Sequence, residues 1–270
     1  MSQAPASVEH LTLRLFSERQ QTRYDRVAVE MPLQIRVNDI DWVVTLRTPG
    51  QDAELTLGLL LSEAIIERRA DVATIAVSED PERPNTVEVQ LADGVQAPLP
   101  SRSMFASSAC GVCGATALEA LERRFPVVSR TLHLADDLVA GAPDALRAEQ
   151  RVFQLSGGIH GAALWQPPAA APWTTAEDVG RHNAVDKVVG AALQAGQRLA
   201  PGWVLAVTSR VGFEIAAKAW AAGIEVLVAV GAPSDLAIRV CEEAGITLCG
   251  FATGERLNVY SHPGRIKPRP

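Results

Sequence analysis

The chain has 270 residues, of which 47% are hydrophobic and 21% charged, so it can bury a substantial core and is not a disordered protein. Its formal net charge of −6 argues against a nucleic-acid-binding protein, which would carry a basic surplus. The N-terminus lacks the basic flank and apolar block of a signal peptide, and no run reaches the roughly 18 apolar residues of a membrane span. We therefore expect a cytoplasmic protein with no membrane or nucleic-acid partner, whose thiols stay reduced.

The N-terminal part of the chain, residues 11–104, follows a polar tail at residues 1–10 and shows short stretches of alternating apolar and polar residues. This alternation predicts strands at residues 11–15, 27–29, 33–37, 42–46, 72–77 and 86–91. Residues 52–68 carry an apolar stripe typical of a helix, with Asp52 as its predicted N-cap. We expect a mixed α/β, mostly antiparallel subdomain.

A pair of cysteines, Cys110 and Cys113, stands out in residues 105–127. Glycines flank the pair and a helix is predicted at residues 115–122, whose N-terminus would lower the pKa of a nearby thiol. A C-x-x-C pair can also be half of a zinc site, a redox dithiol or two inert thiols. Because Cys241 and Cys249 are not spaced as a second C-x-x-C, we favour exposed thiol chemistry and no metal site.

The C-terminal part, residues 128–265, alternates Val- and Leu-rich strands with helices and ends in a tail at residues 266–270. Strands are predicted at residues 162–165, 203–207, 224–230 and 247–251, and helices at 144–155, 181–194, 213–222 and 236–244. This rhythm predicts an α/β fold with a largely parallel sheet and helices on both faces. Ligands of such sheets bind at loops that leave the carboxyl ends of strands.

The first polar loop of this part leads into the helix at residue 181. Arg181, His182 and Asn183 open that helix after a glycine, which favours an anion site. The alternative is a solvated helix face with a His182–Asp186 pair, and for Lys187 alone we predict this solvated position. Asp178 is the predicted cap of the helix.

Two further loops and a histidine complete the candidate site. Arg210 lies in a Thr-Ser-Arg-Val-Gly turn between a strand and a helix, which suits a phosphate or another oxyanion. The segment after the last strand offers an aromatic face, backbone amides and a guanidinium that could hold a base and a phosphate, although a plain hairpin turn is the simpler interpretation; it comprises Phe251, Ala252, Thr253, Gly254, Glu255 and Arg256. His160 follows a double glycine and is a candidate for the same site.

Taken together, these motifs resemble the FdhD/NarQ family over about residues 11–265. The resemblance rests on the Cys110–Cys113 pair, Gly157-Gly158-Ile-His160, the highly specific block at residues 177–187, and residues 250–263. It implies a fold similar to cytidine deaminases. The turn around Arg210 departs from the family pattern at Ser209 and Gly212, and the zinc-deaminase signature is missing, so we do not expect deaminase activity.

The resemblance also implies a function, that of a sulfur carrier of the sulfurtransferase type required for formate dehydrogenase activity. Such a protein accepts persulfide sulfur from a cysteine desulfurase and passes it to a bound molybdenum bis(guanine dinucleotide) cofactor, for which GDP or GMP is the expected mimic. By position, Cys110 is the persulfide carrier, Cys113 its helper and residues 251–256 a cofactor-binding segment, and the protein is expected to be a homodimer. We select Arg181, Arg210 and Arg256 to neutralise the phosphates. The alternatives are a non-catalytic cofactor chaperone and a zinc protein.

Overall fold

The computed structural model describes residues 4–17, 19–95, 104–105, 121, 125–169, 171–197 and 201–268. Cys110, Cys113 and nearly all of the predicted helix at residues 115–122 lie outside this part of the chain. Within the described ranges, no helix is both long enough and apolar enough to cross a membrane.

Two small sheets form the N-terminal part. Strands β1 (Ser7–Leu15) and β2 (Gln20–Ala28) make an antiparallel ribbon, so residues 7–10, which we predicted to be a tail, are paired with β2. Five strands form the second sheet, in the order β5-β6-β3-β4-β7. They are β3 (Met31–Val37), β4 (Ile40–Arg47), β5 (Val72–Val77), β6 (Thr86–Leu91) and β7 (Met104–Phe105). The β3–β4 and β5–β6 pairs are antiparallel and the β3–β6 and β4–β7 pairs are parallel, which confirms a mixed sheet.

Helix α1 (Asp52–Ser62) is shorter than predicted because Ala64 adopts a left-handed conformation with φ 56°. Asp52 is not its N-cap: Gln51 takes that position, and the Asp52 carboxylate instead accepts two 2.9 Å hydrogen bonds from the buried Arg47 guanidinium. The helix is apolar on nearly every side and buried. It therefore belongs to the interior of the molecule, not to its surface.

A six-stranded sheet organises the C-terminal part, in the order β10-β9-β11-β12-β13-β14. Its strands are β9 (His160–Trp165), β10 (Thr174–Asp178), β11 (Val204–Val207), β12 (Val226–Ala229), β13 (Thr247–Thr253) and β14 (Arg256–Ser261). The expectation of a largely parallel sheet is wrong: only the β11–β12 and β12–β13 pairs are parallel, and the other three pairs are antiparallel. The connections from β9 to β10 and from β13 to β14 are too short for a helical crossover, so the strands they join run antiparallel.

Helices cover both faces of this sheet, as predicted. On one face lies α2 (Asp136–Glu149), and on the other lie α4 (Arg181–Gln194), α5 (Phe213–Ala221) and α6 (Asp235–Ala244). The short helix α3 (Arg151–Ser156) follows α2 and contacts the β1–β2 ribbon. The predicted helix at residues 144–155 is in fact two helices, because Gln150 leaves the helical conformation with ψ 81°. Residues predicted as a C-terminal tail contribute β15 (Ile266–Lys267), which pairs with β8 (Leu134–Ala135).

Close contact between α1 and α4 joins the two parts of the chain around one hydrophobic core. Gly58 of α1 and Gly190 of α4 allow this contact, since a Cβ atom on either would collide with the backbone of the facing helix at Asp186 or Glu54. The N-terminal sheet and α1 thereby support α4, whose first residues belong to the candidate site.

Candidate functional site

The three predicted loops meet at one rim of the six-stranded sheet. His160 at the start of β9 is in register with Asp178 at the end of β10, which places His160 next to the loop that enters α4. On the other side, the backbone N–H of Thr208 after β11 donates to the Gly161 carbonyl at 3.0 Å. The rim formed by His160, residues 178–183 and residues 208–210 is called the binding rim below.

Phe251 extends the binding rim across β12. The Gly231 amide after β12 donates to the Ser209 carbonyl, and the Phe251 amide donates to the Gly231 carbonyl. Gly231 is required here, because a Cβ atom would lie 2.9 Å from the Cα of Arg210. Phe251 has a left-handed φ of 52° and an exposed fraction of 43%, so its ring is held out from the sheet.

The remaining residues of the third loop form the hairpin turn between β13 and β14. Thr253, Gly254, Glu255 and Arg256 are exposed, whereas Ala252 is buried. The Gly254 amide donates to the Asp144 carboxylate of α2 at 3.1 Å, which ties the turn to the helix beneath it. The hairpin interpretation of this segment is therefore correct, and its polar groups face solvent.

The binding rim gathers positive charge in a chain whose net charge is negative. His182 lies 2.8 Å from the Glu214 carboxylate at the start of α5, and this hydrogen bond lowers the pKa of Glu214. Partial burial lowers the pKa of His160, and the nearby charges of Arg181, His182 and Arg147 lower it further. Arg210 is exposed on the same rim. Burial and nearby positive charge thus hold the pKa of His160 below its usual value, although the Asp178 carboxylate opposes this shift.

Lys187 does not lie on a solvated helix face, and that prediction is wrong. Its side chain is 2% exposed and its Nζ lies 2.7 Å from the fully buried carboxylate of Asp178. The same Nζ donates to the carbonyls of Thr48 and Glu177. This buried ion pair connects α4 and β10 to the loop after β4, and so fixes the entrance to α4.

Asn183 and Asp178 have structural contacts that the sequence pattern did not reveal. The Asn183 side-chain amide donates to the Leu46 carbonyl at 2.7 Å and to Asp178 Oδ1 at 3.1 Å. Asp178 Oδ1 also accepts from the Gly180 amide, so it orders the loop but makes no side-chain cap of α4. The alternative His182–Asp186 pair is not formed, because Asp186 pairs with Lys218. Of the predicted trio, Arg181 and His182 lie half-buried at the entrance to α4, and Asn183 positions the loop.

The two cysteines in the described part of the chain cannot be the reactive thiols. Cys241 and Cys249 are free and buried, and burial raises the pKa of Cys249 to about 12 and that of Cys241 further still. A thiol that stays protonated is neither a nucleophile nor a metal ligand. In the described ranges no three His, Cys, Asp or Glu side chains are placed together to hold a metal ion.

Three residues near the binding rim were missed by the sequence analysis. Glu214 pairs with His182, Arg147 of α2 is close enough to His160 to affect its pKa, and the Glu177 carboxylate accepts from the first amides of α3. Only Glu177 lay within a motif, the block at residues 177–187. The other two are single charged residues in helices, and their proximity depends on the tertiary fold.

Comparison with known proteins gives a consistent result. Residues 28–267 match the model of the FdhD/NarQ family. The chain is 44% identical over 252 residues to the sulfur carrier protein FdhD of Nocardia farcinica, with 91% of this chain and 89% of that protein covered. It is 41% identical over 257 residues to the sulfur carrier protein FdhD of Mycobacterium tuberculosis, with 91% and 93% covered. The crystal structure of a formate dehydrogenase accessory protein from Desulfotalea psychrophila has the same fold, with a TM-score of 0.79, 23% identity and coverage of 97% and 100%.

Proposed function

The chain belongs to the FdhD/NarQ family, and we propose that it is a sulfur carrier in the maturation of formate dehydrogenase. Relatives that share 41–45% of its sequence over about nine-tenths of its length bear the name sulfur carrier protein. Two buried thiols of high pKa leave Cys110 and Cys113 as the cysteines suited to this role.

The proposed first step is a transfer of sulfane sulfur to Cys110. Its thiolate attacks the terminal sulfur of a persulfide on a cysteine desulfurase, and a new S–S bond forms as the donor's own S–S bond breaks. The electron pair of the broken bond leaves on the donor cysteine, which departs as a thiolate, so no external oxidant or reductant is needed. Cys110 then carries the persulfide, and Cys113 assists its release.

The proposed second step delivers this sulfur to the molybdenum of a bound bis(guanine dinucleotide) cofactor, which is the substrate of the protein. The Cys113 thiolate attacks the inner sulfur on Cys110, so a Cys110–Cys113 disulfide forms as the persulfide S–S bond breaks and the outer sulfur leaves as hydrosulfide for the metal. A cellular dithiol reductant then returns the disulfide to two thiols.

The observation that supports this second step is that residues of the three loops lie along the binding rim, where Arg181 and His182 lie near His160 and Arg210 is exposed on the neighbouring loop. Cations at a sheet rim suit the phosphates of the cofactor. Phe251 offers a ring for stacking, and Arg256 on the hairpin turn adds a further guanidinium. We place the reaction in the cytoplasm and assign the protein as a homodimer.

The test is the maturation of formate dehydrogenase in cells that depend on this protein. We expect Cys110→Ala to fold normally and to abolish formate dehydrogenase activity, because Cys110 is the proposed carrier of the persulfide. Cys241→Ala is the matched control and should retain activity, since the Cys241 thiol is buried. Full activity with Cys110→Ala would reject the sulfur-carrier assignment and leave a cofactor chaperone as the better account.

A further inference from the structure

The ribbon of β1 and β2 presents an apolar face to solvent. The register of the two strands and the alternation of their side chains put Leu11, Leu13, Leu15 and Tyr24 on one face, and Phe16 follows at the tip. All five side chains are more than half exposed. In the described part of the chain no element covers this face, and none of the roles assigned above uses it.

The opposite face of the ribbon is the one that turns toward the rest of the protein. Helix α3 contacts both strands, and Val8, Thr12, Arg23 and Asp25, which share this face, are half-buried. Arg23 and Asp25 form an ion pair there at 2.9 Å. The ribbon thus reverses the usual arrangement of an antiparallel sheet, in which the apolar face is turned inward and the polar face outward. A contiguous apolar surface of this kind marks a protein interaction site.

Positive charge borders the apolar face. Residues 7–28 carry four arginines against three acidic residues, in a chain whose net charge is −6. Arg14 and Arg19 are exposed on either side of the tip, whereas the acidic Glu9 lies 3.9 Å from Arg26 at the other end of the face. A partner that fits this face therefore presents an apolar surface with carboxylates beside it.

Helix α3 also links the ribbon to the binding rim. The Glu177 carboxylate accepts from the Val152 and Phe153 amides at 2.8 Å, and so holds the first turn of α3. After α3 ends at Ser156, the chain reaches His160 of the binding rim through three residues. A protein docked on the ribbon is therefore only one short helix away from the binding rim.

The proposed sulfur transfer indicates which protein this partner is. Its first step requires contact with a second protein, because the donated sulfur is bound covalently to a cysteine of the desulfurase. The second step takes place on a cofactor that this chain itself holds. We propose that the apolar face of the β1–β2 ribbon is the docking surface for the cysteine desulfurase, an assignment that rests on the proposed function.

The experiment measures the affinity of the full-length protein for the purified desulfurase and the rate at which labelled sulfur reaches Cys110. Leu13→Glu places a charge at the centre of the apolar face, and the melting temperature should not change because this side chain is exposed. We expect the affinity to fall tenfold or more. The carrier concentration that gives half of the maximal transfer rate should rise by a similar factor, whereas the maximal rate should change by less than about twofold.

Ile40→Glu is the matched control, because Ile40 is an exposed apolar side chain at the start of β4, outside the ribbon. It should bind the desulfurase as the wild-type protein does. The double variant Arg14→Gln/Arg19→Gln tests the charge at the tip. Its affinity at low ionic strength should fall by about threefold or more, and should depend less on salt than the affinity of the wild-type protein.

Unchanged affinity and an unchanged transfer rate in Leu13→Glu would overturn this inference, as would an equal loss of affinity in Ile40→Glu. Light scattering and binding to formate dehydrogenase test the other occupants. A change of oligomeric state in Leu13→Glu would overturn the inference and assign the face to a second copy of the chain. A loss of affinity for formate dehydrogenase alone would overturn it in favour of that enzyme.

These results would leave the sulfur-carrier function standing, provided that the wild-type protein still acquires labelled sulfur on Cys110. Full maturation of formate dehydrogenase by Cys110→Ala would contradict the proposed function instead, whatever the affinity of the ribbon variants.

Discussion

At the scale of single residues, the candidate site combines a buried ion pair with cations that lie at its surface. Asp178 and Lys187 form a buried ion pair behind the binding rim, whereas Arg181 and Arg210 remain at its surface. His182 occupies an intermediate position, since its ring lies near His160 and is held 2.8 Å from the Glu214 carboxylate. The inner pair fixes the loop, and the outer cations lie at the rim, where we propose that they bind the cofactor phosphates.

Lys187→Met tests the structural role of the inner pair. The change should lower the free energy of unfolding by about 3–5 kcal/mol, because it leaves the Asp178 carboxylate buried without its counter-charge. Urea denaturation measures this loss. The double variant Lys187→Met/Asp178→Asn should recover part of it, since the uncompensated charge is then gone.

The control for this prediction is Arg239→Met, which removes an exposed pair with Asp235 on α6. It should change stability by no more than about 0.5 kcal/mol, as is usual for ion pairs in solvent. Equal effects of the Lys187 and Arg239 variants would show that the inner pair does not hold the loop.

At the scale of elements, helices and strands with a clear apolar pattern were predicted correctly, whereas a polar strand was not. Residues 181–194 form α4 as expected, and the predicted strands of the central sheet are present at β9, β11, β12 and β13. The strand β10 was missed because Thr174–Asp178 is polar and short, and it lies at an edge of the sheet where only one neighbour specifies it. Without β10, the sequence offered no buried partner for Lys187, and we predicted a solvated position for it.

The apolar pattern also does not determine whether neighbouring strands run parallel or antiparallel. A Val- and Leu-rich run looks the same in a parallel and an antiparallel pair when both faces are covered. The lengths of the connecting segments do indicate strand direction, since the segment between β13 and β14 is too short for a crossover and so joins antiparallel strands. The break between α2 and α3 likewise depends on Gln150, a residue with no strong preference for ending a helix.

Packing between α1 and α4 gives a prediction at this scale. Gly190→Ala should destabilise the protein by about 3 kcal/mol or more, even though alanine favours a helix, because its methyl group would meet the backbone of α1 at Glu54. Gly141→Ala in α2 is the matched control, since nothing lies within 4 Å of the added methyl group. That variant should be neutral or up to about 1 kcal/mol more stable.

Chemical denaturation of the two variants in parallel measures the difference. If the Gly190→Ala protein is as stable as the Gly141→Ala protein, α1 and α4 can move apart with little loss of free energy of unfolding. The support of the binding rim by the N-terminal part would then be weak.

At the scale of the whole molecule, charge is unevenly distributed in a way that the net value of −6 conceals. Cations gather at one rim of the central sheet, and acidic residues there are turned inward or paired, as Asp178 and Glu214 are. The sequence predicted candidate residues on three loops of this sheet, because ligands of such sheets bind at loops that leave the carboxyl ends of strands. It could not predict Arg147 or Glu214, which reach the rim from helices and depend on how those helices pack.

The central claim is that sulfur passes through Cys110, and the most direct measurement is the transfer of labelled sulfur from a cysteine desulfurase. The purified protein is incubated with the desulfurase and radiolabelled cysteine, separated from both, and mapped by peptide mass spectrometry. The account predicts about one labelled sulfur per chain on the Cys110 peptide, released by a thiol reductant and absent from Cys110→Ala. A wild-type protein that acquires no label, or a Cys110→Ala protein that is labelled as fully as the wild type, would contradict it.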